Sequence, residues 1–250
     1  MFAVPLPPHS SEIRNQLNLP SGTTRVRLDT ADFSIPLAQI GRYAGGSRYE
    51  MGERSQAMAR DALAWARKLA RPIFGYALFA AVPEASGSAV GLPSGHRLAL
   101  PAEERDPGIQ GVAAVACTLG HGLDQKISAL GADGDLAQSL FVDAAGVALL
   151  EALGAACRAH ILTVLKPLKL FCGCPFGPGY GTTPMGSLGE IFDHLDGEAL
   201  GVDLRAETMM RPLKSVAFWL RLTANPKALK SPAYKCRRCS MENCIYRAAG

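Results

Sequence analysis

Hydrophobic positions recur along the chain with the two periods that characterise strands and helices. Polar and apolar residues alternate over residues 25–28, which is typical of a half-exposed strand. Unbroken apolar runs over 74–82 and 111–119 predict buried strands, and the segments 97–100 and 215–222 predict two further strands. The spread of these segments places strands in both halves of the chain.

Helical spacing of apolar residues fills the stretches between the strands. We expect helices over 51–71, ended by Pro72, over 123–130, and over 188–195. A longer helix follows residues 131–134. Its inward face is predicted to carry Leu136, Leu140, Gly146, Leu149, Leu150, Leu153 and Cys157. Because strands and helices interleave without a regular βαβ order, the pattern predicts an α+β fold with a largely antiparallel sheet flanked by helices.

Composition supports a chain with a substantial core. Of the 250 residues, 48% are hydrophobic and 19% charged. We expect one body over residues 1–225 and a basic, cysteine-rich tail over 226–250. No apolar run reaches the roughly 18 residues that span a bilayer, and the first eight residues are broken by prolines and lack the basic region of a signal peptide. These features predict a cytoplasmic protein with no membrane partner.

Charge is unevenly distributed along the chain. Residues 205–250 hold ten lysines and arginines against two acidic residues, although the whole chain carries a formal charge of only +4. A basic end of this kind can attract nucleic acid, phosphate or an acidic partner protein, or it is simply a solvated surface. The sequence contains no aromatic RNA-binding signature, so we expect no nucleic-acid partner.

Five of the seven cysteines fall into two clusters. Cys236, Cys239 and Cys244 have the short spacing that lets three thiolates reach one metal ion or cluster. Cys172 or Cys174 could supply the fourth ligand. An iron–sulfur cluster, a zinc ion or free thiols all fit this spacing. The other two cysteines lie in apolar stretches and are predicted to be buried.

A loop rich in glycine and proline follows the long helix, over residues 171–181. Its glycines allow close approach of a ligand and expose backbone N–H groups, and its tyrosine offers an aromatic face and a hydroxyl. The candidate binding residues are Pro178, Gly179, Tyr180 and Gly181, with Lys214 and Ser215 at the start of a later strand. A tight surface turn is the alternative interpretation of the loop.

Four segments in this order resemble the activation domain of cobalamin-dependent methionine synthase and its stand-alone relatives. They are residues 119–123, 134–146, 176–181 and 200–216. Together they extend over about residues 110–222, and the cysteine-rich end followed by Tyr246 and Arg247 is similar to the ends of the stand-alone relatives. The resemblance implies the fold of that domain, and contact between the 178–181 loop and S-adenosylmethionine.

Two departures limit what the resemblance implies about cofactors. The methionine synthases of the family carry an arginine five residues before the tyrosine, where it can bind the methionine carboxylate, and this chain has Pro175 there. Without that arginine–carboxylate contact, S-adenosylmethionine binding is expected to be weaker. The Asp-x-His-x-x-Gly pattern of a cobalamin domain is also absent, since Phe192 precedes His194 at the aspartate position. His194 is interpreted as a residue of a helix surface. Any cobalamin must therefore be presented by a corrinoid-binding partner.

The sequence thus leaves two functions open. One is an accessory protein that supports the reductive reactivation or remethylation of cobalamin bound to a partner, with a cluster or metal held by the tail cysteines. The other is an inactive interaction module that binds zinc or an iron–sulfur cluster and keeps only the fold.

Overall fold

The computed structural model describes residues 19–179, 183, 185–206, 208–226 and 244. The strands are β1 Thr24–Arg27, β2 Ile73–Ala80, β3 Val82–Pro83, β4 Ala89–Gly91, β5 Arg97–Ala99, β6 Ile109–Thr118, β7 Phe171–Cys172, β8 Asp203–Arg205, β9 Met209–Arg211 and β10 Ser215–Thr223. The helices are α1 Leu37–Gly45, α2 Glu53–Leu69, α3 Gly122–Ala132, α4 Leu136–Leu165, α5 Leu188–Phe192 and α6 Gly197–Leu200.

A five-stranded sheet forms the centre of the fold, in the order β1-β2-β6-β10-β7. Every neighbouring pair in it is antiparallel. Two smaller antiparallel sheets, β3-β4-β5 and β8-β9, lie beside it. The predicted α+β class with a largely antiparallel sheet flanked by helices is confirmed.

Strand β6 is buried on both faces, which explains its unbroken apolar sequence. Val115 and Cys117 face a core shared with α1, α2 and α4, whereas Ala114 and Ala116 face a second core. That second core is closed by β4, β5, α5 and α6. Because two layers cover the strand, the period-two alternation of a half-exposed strand is absent here. Cys117 and Cys157 are both buried, as predicted, in the first of these cores, which we call the helix-side core.

The inward face of α4 differs from the predicted one at its beginning. Leu136 and Leu140 are 70% and 48% exposed, and Leu150 is only partly buried. The buried stripe instead begins with Gln138 and Phe141 and then continues along the helix. The remaining predicted inward residues are buried, namely Gly146, Leu149, Leu153 and Cys157. Leu136 is two residues from Gln138, about 200° around the helix, so it points away from the core.

Helix α4 also corrects the expectation that no segment could span a membrane. The helical stretch 136–168 is long and apolar enough to do so by length and composition. Half of its most apolar 18-residue stretch is buried inside the protein, where α4 packs against the sheet and the other helices. Core helices of soluble proteins meet the same criterion, and this packing is that of a core helix.

Several short elements were not predicted from the pattern, namely α1, α6, β4, β7, β8 and β9. Helix α1 was missed, and residues 171–172 form the edge strand β7 inside a segment predicted to be a loop. Backbone pairing continues irregularly beyond β7, because Gly173 N–H donates to the carbonyl of Arg221 and Phe176 pairs with Trp219. The glycine- and proline-rich segment is therefore held along β10.

A buried ionic cluster fastens the end of β10 to the segment before β6. Arg221 is 1% exposed and pairs with Asp106 at 2.5 Å and with Glu104 at 3.3 Å. Thr223 donates a hydrogen bond of 2.7 Å to Asp106. Burial favours a higher pKa for Asp106, but hydrogen bonds from Thr223 and the Gly108 N–H, with the charge of Arg221, lower the pKa overall. The carboxylate therefore stays ionised inside the protein.

We expect Gly111→Ala to destabilise the protein by about 2 kcal/mol, because a Cβ at this position would lie 2.5 Å from the carbonyl oxygen of Phe79 on the adjacent strand. Gly154→Ala is the matched control. Gly154 lies inside α4, and a methyl group there would have no other described side chain or segment within 4 Å, so alanine should stabilise the protein by about 1 kcal/mol. Urea unfolding of both variants tests this, and equal effects would contradict the assigned packing of β2 against β6.

Candidate ligand-binding rim of the sheet

Four strands end in one row at the same edge of the central sheet. The strand register aligns Arg27 with Ile73, Ile73 with Thr118, and Thr118 with Ser215. These residues are the last of β1, the first of β2, the last of β6 and the first of β10. We call this row and the loops that leave it the rim. At the usual strand spacing it is about 14 Å wide.

Ser215 and Lys214, both predicted binding residues, are tied into the rim by hydrogen bonds. Ser215 Oγ donates to Thr118 Oγ1 at 2.8 Å, and the Leu119 N–H donates to the carbonyl of Lys214 at 2.9 Å. The Gly120 N–H also donates to Thr118 Oγ1 at 3.2 Å. The strand ends are thus locked together, and the side chain of Ser215 is engaged within the protein.

The ammonium of Lys214 is directed at helix α4. Lys214 is 8% exposed, and its Nζ lies 2.6 Å from Asp143 Oδ1. Gly146, one turn further along α4, provides the room for the lysine stem, since a Cβ there would lie 3.0 Å from Lys214 Cε. A ligand that recruited this ammonium would have to compete with Asp143.

The segment before Pro178 runs along the edge of β10 in the direction of the rim. The chain runs antiparallel to β10 from Phe171, opposite Thr223, to Gly177, whose Cβ position would lie 3.1 Å from Phe218 Cα. This direction leads toward the Ser215 end of β10, and a turn at Pro178 and Gly179 follows. Gly179 has φ +77°, and its N–H donates to the carbonyl of Thr183 at 3.1 Å. Tyr180 and Gly181 lie outside the described residues.

The loop between β6 and α3 completes this end of the sheet. Gly120 has φ +74°, and Gly122 lies so close to α2 that a Cβ would be 2.6 Å from the Leu69 carbonyl oxygen. His121 between them is exposed. Asp124, in the first turn of α3, accepts a 2.7 Å hydrogen bond from the Leu213 N–H. The loop therefore joins the start of α3 to the segment that enters β10.

The predicted metal ligands are only partly within the described residues. Cys172 and Cys174 are both buried, and burial raises the pKa of Cys172 to about 11, against the opposing effect of Arg158. Cys172 packs in the helix-side core, so a metal bound there would have to displace the proton of a buried thiol. Cys244 is half-buried.

Cys236 and Cys239 lie outside the described residues, as do most of the proposed 226–250 tail and its basic charge. Among the residues that the structure describes, no three or more His, Cys, Asp or Glu side chains form a group that could hold a metal. The three-cysteine site and the boundary between body and tail stay predictions.

His194 is not the helix-surface residue that the sequence suggested. Helix α5 ends at Phe192, and the His194 ring packs in an aromatic cluster with Phe79, His96 and Trp219, at centroid distances of 4.9, 5.3 and 5.7 Å. Its Nε2 is buried and makes no hydrogen bond within the described structure. Burial, and then the neighbouring His96, lower the pKa of His194. No local sequence signal pointed to these neighbours, because they come from distant segments.

No family model matches the sequence, and no curated protein matches it. The fold is similar to a solved structure described as the MetH reactivation domain bound to AdoHcy, with a TM-score of 0.60. The two chains are 17% identical, and the match covers 89% of this chain and 87% of that one. The likeness shows the fold, and it supports the resemblance found in the sequence at the level of the fold.

The Lys214–Asp143 pair should respond asymmetrically to substitution, because the lysine side chain is 10% exposed and the aspartate side chain 46%. Asp143→Ala leaves a buried ammonium without its carboxylate and should cost about 2 kcal/mol. Lys214→Met keeps the packed stem and leaves a carboxylate that water can reach, so it should cost less than about 1 kcal/mol. Urea unfolding at neutral pH measures both, and the reverse order would contradict the described burial.

His194 should make the protein less stable in mild acid. Its pKa is lower in the folded protein than in the unfolded chain, so the unfolded chain takes up more protons as the pH falls below about 6.5. Stability should therefore fall between pH 7.5 and 5.5. The fall should be smaller in His194→Phe and unchanged in His121→Asn, which alters an exposed histidine. Thermal unfolding across this range tests the prediction, and an identical fall in wild type and His194→Phe would refute it.

Proposed function

We propose that this protein is an accessory protein for corrinoid-dependent methyl transfer. It would support the reductive reactivation or remethylation of cobalamin carried by a corrinoid-binding partner in the cytoplasm. The observation that carries the proposal is the likeness in fold to the MetH reactivation domain over 89% of this chain. The segments that resemble the activation domain in sequence supply much of the rim and its loops.

The rim is the proposed place for an S-adenosyl ligand. The similar MetH domain was solved with AdoHcy bound. In this chain the segment that leads into Pro178 runs along β10 in the direction of Ser215, and Gly179 has a positive φ. Exposed backbone N–H groups of such a loop can bind carboxylate or hydroxyl oxygens. We assign Tyr180 and Gly181 to the same binding loop.

The proposed metal centre belongs to the tail. Cys236, Cys239 and Cys244 would hold an iron–sulfur cluster or zinc, with Cys172 or Cys174, both buried, as the fourth ligand. A bound cluster would supply electrons for the reduction of inactive cobalt. The protein itself would position the partner's corrinoid at the rim.

Two observations favour the second candidate, an inactive metal-binding interaction module. Pro175 is half-buried where the methionine synthases have an arginine, so no guanidinium extends from this position toward a carboxylate. Lys214 is already paired with Asp143. A chain with these two features could keep the fold and the partner surface without S-adenosyl binding.

Binding of AdoHcy to a matched pair of glycine variants separates the two candidates. Gly179 and Gly95 both have positive φ, so alanine strains both backbones, but Gly95 lies in the β4–β5 turn away from the rim. A Cβ at Gly179 would also lie 2.7 Å from Sδ of Met185, an exposed side chain that can shift, whereas a Cβ at Gly95 would meet no described atom within 4 Å. Under the first candidate, Gly179→Ala should weaken AdoHcy binding about tenfold or more, whereas Gly95→Ala should leave it unchanged. Isothermal titration calorimetry measures both. Absence of binding by the wild-type protein would refute the S-adenosyl part of the proposal.

Anaerobic purification tests the metal part independently. Iron and acid-labile sulfide in the purified protein, lost in Cys236→Ser and Cys239→Ser, would support a cluster, and stoichiometric zinc would support the interaction module. Acceleration of cob(II)alamin reduction in a corrinoid protein, supplied with a chemical electron donor, then tests the accessory function. A metal-free protein without effect on the corrinoid would overturn the proposal.

A further inference from the structure

We infer that an arginine-lined pocket at the β1 end of the rim is a binding site for the phosphate group of a small ligand. The pocket has a volume of about 240 Å³ and lies where β1 ends, α2 ends and β2 begins. Its charged lining residues are Arg27, Arg67, Arg71 and Asp29. Three guanidinium groups against one carboxylate make it a cationic site.

Arg67 is the fixed part of the pocket. Its Nη2 donates a 3.0 Å hydrogen bond to the Phe33 carbonyl, and its own carbonyl accepts one of 3.0 Å from Thr30 Oγ1. The Nε of the same guanidinium is buried, yet it has no hydrogen-bond partner in the described part of the chain. A buried donor without an acceptor is costly, so Arg67 is held at the pocket by the packing around it and by its bond to Phe33.

Arg71 and Arg27 are the exposed members of the pocket. Arg71 is anchored through Nη1, which donates to the carbonyls of Lys68 and Ala70 at 2.9 and 2.8 Å. These bonds also satisfy carbonyls at the end of α2. Arg27 extends from the last position of β1. Both side chains line the pocket.

The carboxylate in the lining does not neutralise the site. Asp29 accepts a 2.9 Å hydrogen bond from the Ala31 N–H, which ties it to the turn that follows β1. The remaining positive charge favours a dianion over a monoanion. Guanidinium groups bind phosphate through paired N–H donors. Pockets for whole drug-sized ligands start at about 300 Å³, so this pocket suits one phosphate group and the atoms next to it.

The pocket is separate from the loop assigned to an S-adenosyl ligand. Arg27 and Ser215 stand at opposite ends of the cross-strand row, with β2 and β6 between them. The inference therefore holds whether or not the S-adenosyl assignment is correct, and each can fail without the other.

Inorganic phosphate is the probe for this site. Thermal unfolding is followed while phosphate replaces chloride at constant ionic strength, because a ligand bound to the folded state raises the midpoint in a saturable way. Arg27→Gln is expected to weaken the apparent phosphate affinity about tenfold, and Arg71→Gln should do the same. Arg60→Gln is the control, because Arg60 is exposed on α2 two turns before Arg67 and does not line the pocket.

A second arm uses the phosphate monoester glycerol 3-phosphate. Tighter binding of the ester than of phosphate would support the site as the anchor of a larger phosphorylated ligand, and equal binding would support free phosphate as the ligand. Both variants should retain the AdoHcy affinity of the wild-type protein. A phosphate effect no larger than that of chloride, or one weakened equally by Arg60→Gln, would overturn the inference.

Discussion

The pairing of β6 with β2 on one side and β10 on the other is the constraint on which the rest of the structure depends. These contacts are long and nearly regular, and small residues such as Gly111 and Ala114 let covering layers and neighbouring backbones approach closely. The register of the two pairings decides which residues end in one row. A shift by one residue would turn every side chain of β6 to the other face and would separate Thr118 from Ser215.

Two charged groups that are unusual for a protein interior reinforce this arrangement at opposite ends of β10. Arg221 joins the end of the strand to Asp106 and Glu104, and Lys214 joins its beginning to Asp143 on α4. Each pair connects segments far apart in the sequence, so neither forms until the sheet and helices have assembled. Such pairs add little net stability, but they penalise alternative packings in which a charge would stay buried and alone.

Much of the architecture could be predicted because it depends on uninterrupted apolar segments. Strands β2, β6 and β10 and helix α2 were predicted close to their observed bounds. The start of α4 was assigned to the wrong face, since leucines occupy both the buried and the exposed side there and small residues carry part of the core. Strand β7 was missed because its two residues pair only through the tertiary structure.

The candidate sites illustrate what the sequence could and could not supply. The glycine and proline content of the chain identified the Pro178–Gly179 loop, and the resemblance of the surrounding segment identified Lys214 and Ser215. The ion pair between Lys214 and Asp143 could not be predicted, because it depends on packing between distant segments. The arginine pocket draws on positions 27, 67 and 71, and no local motif unites them. The aromatic neighbours of His194 likewise come from distant segments of the chain, so no local motif predicts them.

The outer strand β1 has a consequence for how the molecule behaves at high concentration. An edge strand offers unpaired backbone groups on which another molecule could add a strand. β1 is only four residues long, and its exposed positions are the arginines 25 and 27. Arg25 also reaches across to the carbonyl of Ala199. Positive charge and the short length of this edge strand discourage copies of the chain from pairing edge to edge.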